Sequence, residues 1–253
     1  MPLLLDRELT IDEIYDAEEE RAYAEQRIED YMEAFDHAQQ RRITSASFDV
    51  IEAARKDVHY FCEMLILYPS GNKSRPNRVC PDNFVVVFNG ELEVDGSFRI
   101  PMQPANPIIV MEYVSPNYQA KDYEDNYRRY GSDLKIPYYL LYDPAKDSLI
   151  LWHHTGKRYK AQTANSSGRF EIPELELEAG LVDGWIRYWF RGELIGLPSE
   201  MLGQLKSAKD QLDATRNERD TVKIERDAER LRRIELENEL ERLKSELANR
   251  HGG

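Results

Sequence analysis

From Ser199 to Arg250 the chain has one glycine, no proline and a dense mixture of Lys, Arg, Glu, Asp and Leu, a composition that folds as one long charged helix. Pro198 opens this stretch. Threaded on one heptad register, Leu205, Leu212, Arg219, Arg226, Arg233, Leu240 and Leu247 take the a positions, and Ala208, Thr215, Val222, Glu229, Leu236 and Leu243 the d positions. Both ends satisfy the coiled-coil pattern and the middle does not, because three arginines at a weaken a symmetric seam there. The stretch is expected to self-associate, giving a homodimer through the C-terminal helix with a loose or register-shifted centre. A single exposed helix is the alternative.

Three segments follow: an acidic helical arm over 1–44, an α/β domain over 45–197 and the charged helix over 198–253. The net charge of −13 is unevenly spread. Residues 1–43 carry 13 acidic and 5 basic side chains and residues 198–253 carry 13 and 12, which leaves −4 for the middle. None of these segments has the basic stripe by which a protein holds nucleic acid through electrostatics alone. A cation bound at an acidic site would recover part of that attraction. Cys62 and Cys80 show neither zinc spacing nor a disulfide framework, so a reducing cytoplasm is expected. The opening Met1-Pro2-Leu3-Leu4-Leu5-Asp6 is too short an apolar run for a secretory signal, and nothing approaches the roughly 20 apolar residues that span a bilayer.

Thr10-Ile11-Asp12-Glu13 has the form of a capping box and predicts a mostly exposed helix from there through Gln40. A second helix is predicted over Ser47–Leu67, on which His59 and Glu63 would share a face without a third ligand at zinc spacing. Beyond Tyr68 the period changes. Phe84–Phe88, Glu91–Val94, Ile108–Val114, Tyr138–Tyr142 and Leu149–His153 read as strands rich in Val, Ile, Tyr and Phe. Tyr118–Leu134 reads as a helix with Tyr123, Tyr127, Tyr130 and Leu134 as its packing stripe, so that Glu112 to Tyr142 forms a βαβ-type unit in a partly parallel sheet. A hairpin is predicted from Leu149–Trp152 and Gly156–Tyr159, an edge segment over Ile172–Leu177 and a short aromatic closing helix over Gly184–Phe190.

Pro81-Asp82 stands before the first of these strands, and Glu112 near the end of the third. Two carboxylates at neighbouring strands are the usual makings of a divalent-metal site. Mg²⁺ prefers carboxylate and carbonyl oxygens, and a phosphodiester nuclease needs it to activate water and neutralise developing charge. A turn before a strand and a solvent-facing glutamate account for the same two residues. The chain has no Walker-type glycine loop, no Gly-x-Ser-x-Gly elbow and no Cys or His pair with metal spacing.

Taken in order, Pro81-Asp82, the strand ending in Glu112-Tyr113-Val114-Ser115-Pro116, the helix starting near Asp122 and the strand Pro137 to Asp143-Pro144 resemble the restriction endonuclease domain of the Uma-two type, a branch of the PD-(D/E)XK nuclease superfamily. The resemblance covers residues 45 to 195 and is tightest over 108 to 144. It implies an α/β (α+β) fold: a restriction-endonuclease-like mixed sheet flanked by helices, here with a helical N-terminal arm and a C-terminal coiled-coil helix. It also implies Asp82 and Glu112 as ligands of Mg²⁺ (or Mn²⁺), Asp122 as the acidic residue at the helix start, and DNA as the substrate. Asp122 could equally be a partner of the helix dipole. One position departs from the pattern. Where the family places lysine, this chain has Asn126, which can position a water but supplies no cation. Lys121 and Lys135 are the lysines that could reach back. The expectation is a Mg²⁺-dependent DNA endonuclease with Asp82, Glu112, Asp122 and Asn126 at its site. The alternative is a catalytically lapsed nuclease fold that serves as a scaffold and self-associates through its C-terminal coiled coil.

Overall fold

The computed structural model describes residues 9–25, 35–71, 75–115 and 121–251. The chain divides into two compact units, Met1–Leu197 and Pro198–Gly253. The first is built on a six-stranded mixed sheet whose strands are β1 (Val58–Cys62), β4 (Asn83–Val87), β6 (Pro107–Tyr113), β7 (Tyr138–Asp143), β8 (Ser148–His154) and β9 (Tyr159–Ala161), neighbouring in that order. All neighbours are antiparallel except β6 and β7, which run parallel and are joined by a helical crossover. A three-stranded sheet, β3 (Asn77–Val79), β2 (Leu65–Tyr68) and β5 (Ser97–Arg99), and a four-stranded one, β10 (Arg169–Ile172), β11 (Leu177–Val182), β12 (Trp185–Phe190) and β13 (Glu193–Leu194), complete the unit.

Alternation along the central strands sorts side chains into two cores. Ile109, Met111 and Tyr113 of β6, with Leu140 and Tyr142 of β7, face a core completed by Phe48 and Ile51 of α2 (Phe35–Ala54) and by Leu177, Ala179, Ile186 and Tyr188 of the four-stranded sheet. Val110 and Val114, with Tyr139 and Leu141, face a second core that takes in Ile66, Val79 and Phe98 of the three-stranded sheet and Tyr130 of the crossover. Glu112 shares the parity of Val110 and Val114, so strand geometry sends it into this second layer. Burial of both faces explains why β6 and β7 are almost continuously apolar.

Gln40 of α2 ties the two ends of the unit together. Its Nε2 donates to the Ile186 carbonyl at 3.2 Å, and its Oε1 accepts the Ile186 N–H at 2.8 Å. Thr44 Oγ1 lies 2.8 Å from the Tyr113 hydroxyl and 3.1 Å from that of Tyr188, extending the link into the central sheet.

The predicted capping box forms at the start of α1 (Ile11–Ala24): the Glu13 N–H reaches Thr10 Oγ1 at 3.3 Å, and the Thr10 N–H donates to Glu13 Oε2 at 2.8 Å. Most of the helix is exposed, as its composition predicts, but one side of it is packed. Tyr15 and Glu18 are buried; Glu18 pairs with Arg21, Arg75 and Arg78, and Glu19 and Asp16 pair with Arg99. Its acidic face is therefore matched to arginines of the β2–β5 region. Residues 26–34 of the predicted helix lie outside the described residues, and α2 begins at Phe35.

Three other elements differ from the sequence reading. The predicted helix over Ser47–Leu67 stops at Ala54, and Val58–Cys62 and Leu65–Tyr68 are strands, so His59 and Glu63 share no helix face; the His59 ring meets the Phe88 carbonyl at 3.0 Å. Glu91–Val94 is not a strand. Trp185–Phe190 is strand β12, paired with both β11 and β13, rather than a closing helix, because its alternating side chains have a sheet to join. The expected hairpin is present as β8–β9.

In the second unit, α3 (Pro198–His251) is a continuous helix. Leu202, Leu205, Leu212, Leu236 and Leu240 are all exposed on it. Among the described residues, no helix is long and apolar enough to cross a membrane.

Candidate functional site

Strand pairing brings Asp82 and Glu112 together. Asn83 opposes Met111 in the antiparallel β4–β6 ladder, so the next residues outward, Asp82 and Glu112, meet across it. Their polar groups interlock: the Asp82 N–H donates to Glu112 Oε2 at 3.3 Å, and the Tyr113 N–H donates to Asp82 Oδ2 at 2.7 Å. Glu112 is buried, whereas the Asp82 side chain retains 21% of its exposure. The pair therefore runs from the protein interior to its surface.

The crossover closes the buried side. It contains two stretches of π-helical hydrogen bonding, Lys121–Asn126 and Arg129–Asp133, a wider winding that is rare in proteins and concentrated at functional sites. Asp122, Asn126 and Tyr130, spaced four apart, are all buried here. Asn126 Nδ2 donates to Glu112 Oε1 at 2.8 Å and lies 3.3 Å from Asp122 Oδ1, while the Tyr130 hydroxyl donates to Glu112 Oε1 at 2.5 Å. Asp122 is also anchored through its backbone, whose carbonyl accepts the Tyr139 hydroxyl at 2.8 Å. With two carboxylates fixing the amide nitrogen, the Asn126 Oδ1 points the other way and is buried without a hydrogen-bond partner. Burial, and next the charge and hydrogen bond of Glu112, hold the Tyr130 phenol well above its ordinary pKa, so it stays protonated and able to donate.

A cation does approach the site, from a place the sequence did not suggest. Arg41 of α2 lies 3.7 Å from Asp82 Oδ1 and 2.9 Å from Glu63 Oε1. No spacing rule connects α2 to β4; they meet only through packing. Tyr130 was legible as a buried stripe residue, yet its hydroxyl contact was not. Of the candidate lysines, Lys135 is exposed on a left-handed backbone (φ 52°) beyond the crossover, and the Lys121 side chain lies outside the described residues. Beside Asp82, whose carbonyl accepts the Glu63 N–H at 3.0 Å, opens a cavity of about 250 Å³ lined by Tyr23, Glu25, Glu63, Arg78, Cys80 and Arg129. Neither carboxylate of the pair lines it.

Asp143, at the end of β7, belongs to a separate arrangement. It accepts the Tyr123 hydroxyl at 2.9 Å and Lys146 Nζ at 2.7 Å. Burial pushes its carboxyl up, and these two donors more than offset that, leaving it below the ordinary aspartate value.

The profile of the Uma2 family, described as a putative restriction endonuclease, matches residues 13–186. The chain belongs to this family. The Uma2 match contains Arg41, Asp82, Glu112, Asp122, Asn126 and Tyr130 alike. No curated protein matches the sequence. Among solved structures, a putative nuclease belonging to DUF820 from Anabaena variabilis ATCC 29413 is similar, at 14% identity over 57% of this chain and 75% of that one, with a TM-score of 0.42. Within this Uma2 chain, no group of three or more His, Cys, Asp or Glu among the described residues is placed to hold a metal ion.

Proposed function

We propose that this Uma2-family chain is a Mg²⁺-dependent (or Mn²⁺-dependent) endonuclease that hydrolyses DNA phosphodiester bonds, with Asp82 and Glu112 as the metal ligands. The observation that carries the reading is the interlocked pair across the β4–β6 ladder, one carboxylate buried and the other partly exposed. The donor set fits the ion. Magnesium takes hard oxygen ligands and commonly uses only one or two protein carboxylates, with water filling the remaining positions. The buried, unpartnered Asn126 Oδ1 adds a hard acceptor on the residue whose amide nitrogen holds Glu112. When bound, the ion supplies Lewis-acid stabilisation and an acidified water.

The chain's own groups take the other parts. Tyr130 and Asn126 fix the Glu112 carboxylate by donating to Oε1, which sets the direction of Oε2. Asn126 Oδ1 accepts a hydrogen bond from a water and orients it. Arg41, next to Asp82, brings positive charge to a phosphate where the family lysine is missing. The test is plasmid cleavage with Mg²⁺ or Mn²⁺ by the native chain and by Asp82→Ala. Cleavage by the native chain alone is expected; equal cleavage by both, or none by either at high protein concentration, would sink the proposal.

A second reading rests on Asn126 and on the crowding of Glu112. With Tyr130, Asn126 and the Asp82 N–H all donating to it, that carboxylate is already satisfied without a cation. On this reading the fold is a lapsed nuclease used as a scaffold. In either case the exposed leucines of α3 support homodimerisation through that helix, and Cys62 and Cys80, which form no disulfide, suit a reducing cytoplasm.

A further inference from the structure

We propose that α3 pairs with α3 of a second copy of this chain as a parallel, in-register, two-stranded coiled coil. This rests on the self-association reading above and adds to it the orientation, register and strand number. The apolar seam positions stand open: Leu205, Leu212, Val222, Leu236 and Leu240 are each more than half exposed. From Leu205 to Leu240 at about 1.5 Å per residue, the seam is about 50 Å long.

Charge fixes the direction. In a parallel pair each g residue faces the e residue five positions further along the partner. With Leu205 at a, the successive pairs are Glu218–Lys223, Glu225–Arg230, Arg232–Glu237 and Glu239–Lys244. All four are opposite in sign. The third inverts the order of acid and base, and both of its members invert together. In an antiparallel pair e faces e and g faces g. Apart from Glu237, the e positions from Lys209 to Lys244 are all basic, so that arrangement sets like charges against each other.

The arginines at a point the same way. Arg219 and Arg226 each follow a g glutamate, Glu218 and Glu225, which borders the partner's a side chain in a parallel pair. In a two-stranded coil the long stem of an a-position arginine can cover the seam while its head reaches water, an exit closed in larger bundles. Ile224 and Leu231 are exposed outside this seam. A shifted register that puts them at d gives Asp220–Glu225, Asp227–Arg232 and Ile234–Glu239 as its g–e pairs, of which only one attracts, and one that puts them at a sets Asp220, Asp227 and Glu241 at d.

Cysteine cross-linking of the full chain tests this. In a Cys62→Ser, Cys80→Ser background, single variants Leu212→Cys and Leu236→Cys should each form a disulfide-linked dimer on mild oxidation, and Leu231→Cys should not. An antiparallel pair permits same-residue linkage at no more than one of the two seam positions. In sedimentation, Glu239→Lys should weaken the dimer about tenfold, and adding Lys244→Glu should restore it. A dimer that fails to cross-link at 212 or at 236, or that links at 231, overturns the orientation and register while self-association stands. A monomer at all concentrations overturns both.

Discussion

Tyr130→Phe removes one oxygen and leaves the ring, so it isolates a single contact at the candidate site. The Tyr130 hydroxyl donates to Glu112 Oε1 at 2.5 Å with both residues buried, and its ring packs on Tyr139 at a centroid distance of 5.2 Å, which phenylalanine would preserve. A hydrogen bond to a buried charged group contributes about 1.5–3 kcal/mol. The variant should therefore lose about 2 kcal/mol, a fall in melting temperature of roughly 4–8 °C for a unit of this size. Tyr139→Phe is the internal control. Its hydroxyl donates to the neutral backbone carbonyl of Asp122 at 2.8 Å, so removing it should cost about half as much. All three tryptophans, Trp152, Trp185 and Trp189, lie before Pro198, so urea unfolding followed by tryptophan fluorescence reports on the candidate domain and not on α3. In a double-mutant cycle with Glu112→Gln, Tyr130→Phe should couple by about 1 kcal/mol or more. Equal losses for the two tyrosines together with zero coupling to Glu112 would falsify the charged contact between Tyr130 and Glu112.

Asn126→Lys would place an ammonium where the amide now meets both Glu112 and Asp122, and metal-dependent plasmid cleavage should rise at least about tenfold if the missing cation limits turnover; an unchanged rate in a folded variant removes that explanation. Asp143→Asn tests the second acidic site. Because the folded carboxyl lies below its unfolded value, it adds stability above about pH 4 that is lost as pH falls through the lowered folded pKa. The native chain should exceed the variant by about 1 kcal/mol at pH 7, discounted for the exposed Lys146, and the gap should narrow in unfolding curves as pH falls below about 4. Glu18→Gln leaves Arg75 and Arg78 without their buried carboxylate and should cost about 2–4 kcal/mol, read as faster hydrogen exchange across residues 11–24; unchanged protection there means that α1 is held by other contacts.

The central βαβ unit was legible because β6 and β7 are short, almost wholly apolar runs bounded by turn residues, and the order Asp82, Glu112, Asp122, Asn126 followed from family resemblance. Arg41 was not legible, since it reaches Asp82 from a helix whose own sequence carries no sign of that neighbour. The stretch from Arg55 to Leu67 reads as helix from sequence because an unbroken helical composition hides a change of period: Asp57 and Glu63 turn the chain, the latter with φ 49°, where no glycine or proline gives warning. Trp185–Phe190 was misread for the complementary reason. An aromatic run has no intrinsic preference strong enough to choose helix over strand, and the choice was made by β11 and β13 on either side.

The Gln40–Ile186 clasp also dictates the order in which this protein can become itself. The two residues are 146 apart, and at roughly 5–20 residues per second α2 waits about 7–30 s on the ribosome before the strand that covers it has been made. Until then Phe48 and Ile51 lack their native cover on that side, and the nascent chain carries this apolar face without its partner strand. Any fragment ending before β12 inherits this condition permanently, so the smallest piece worth expressing must run past Ile186.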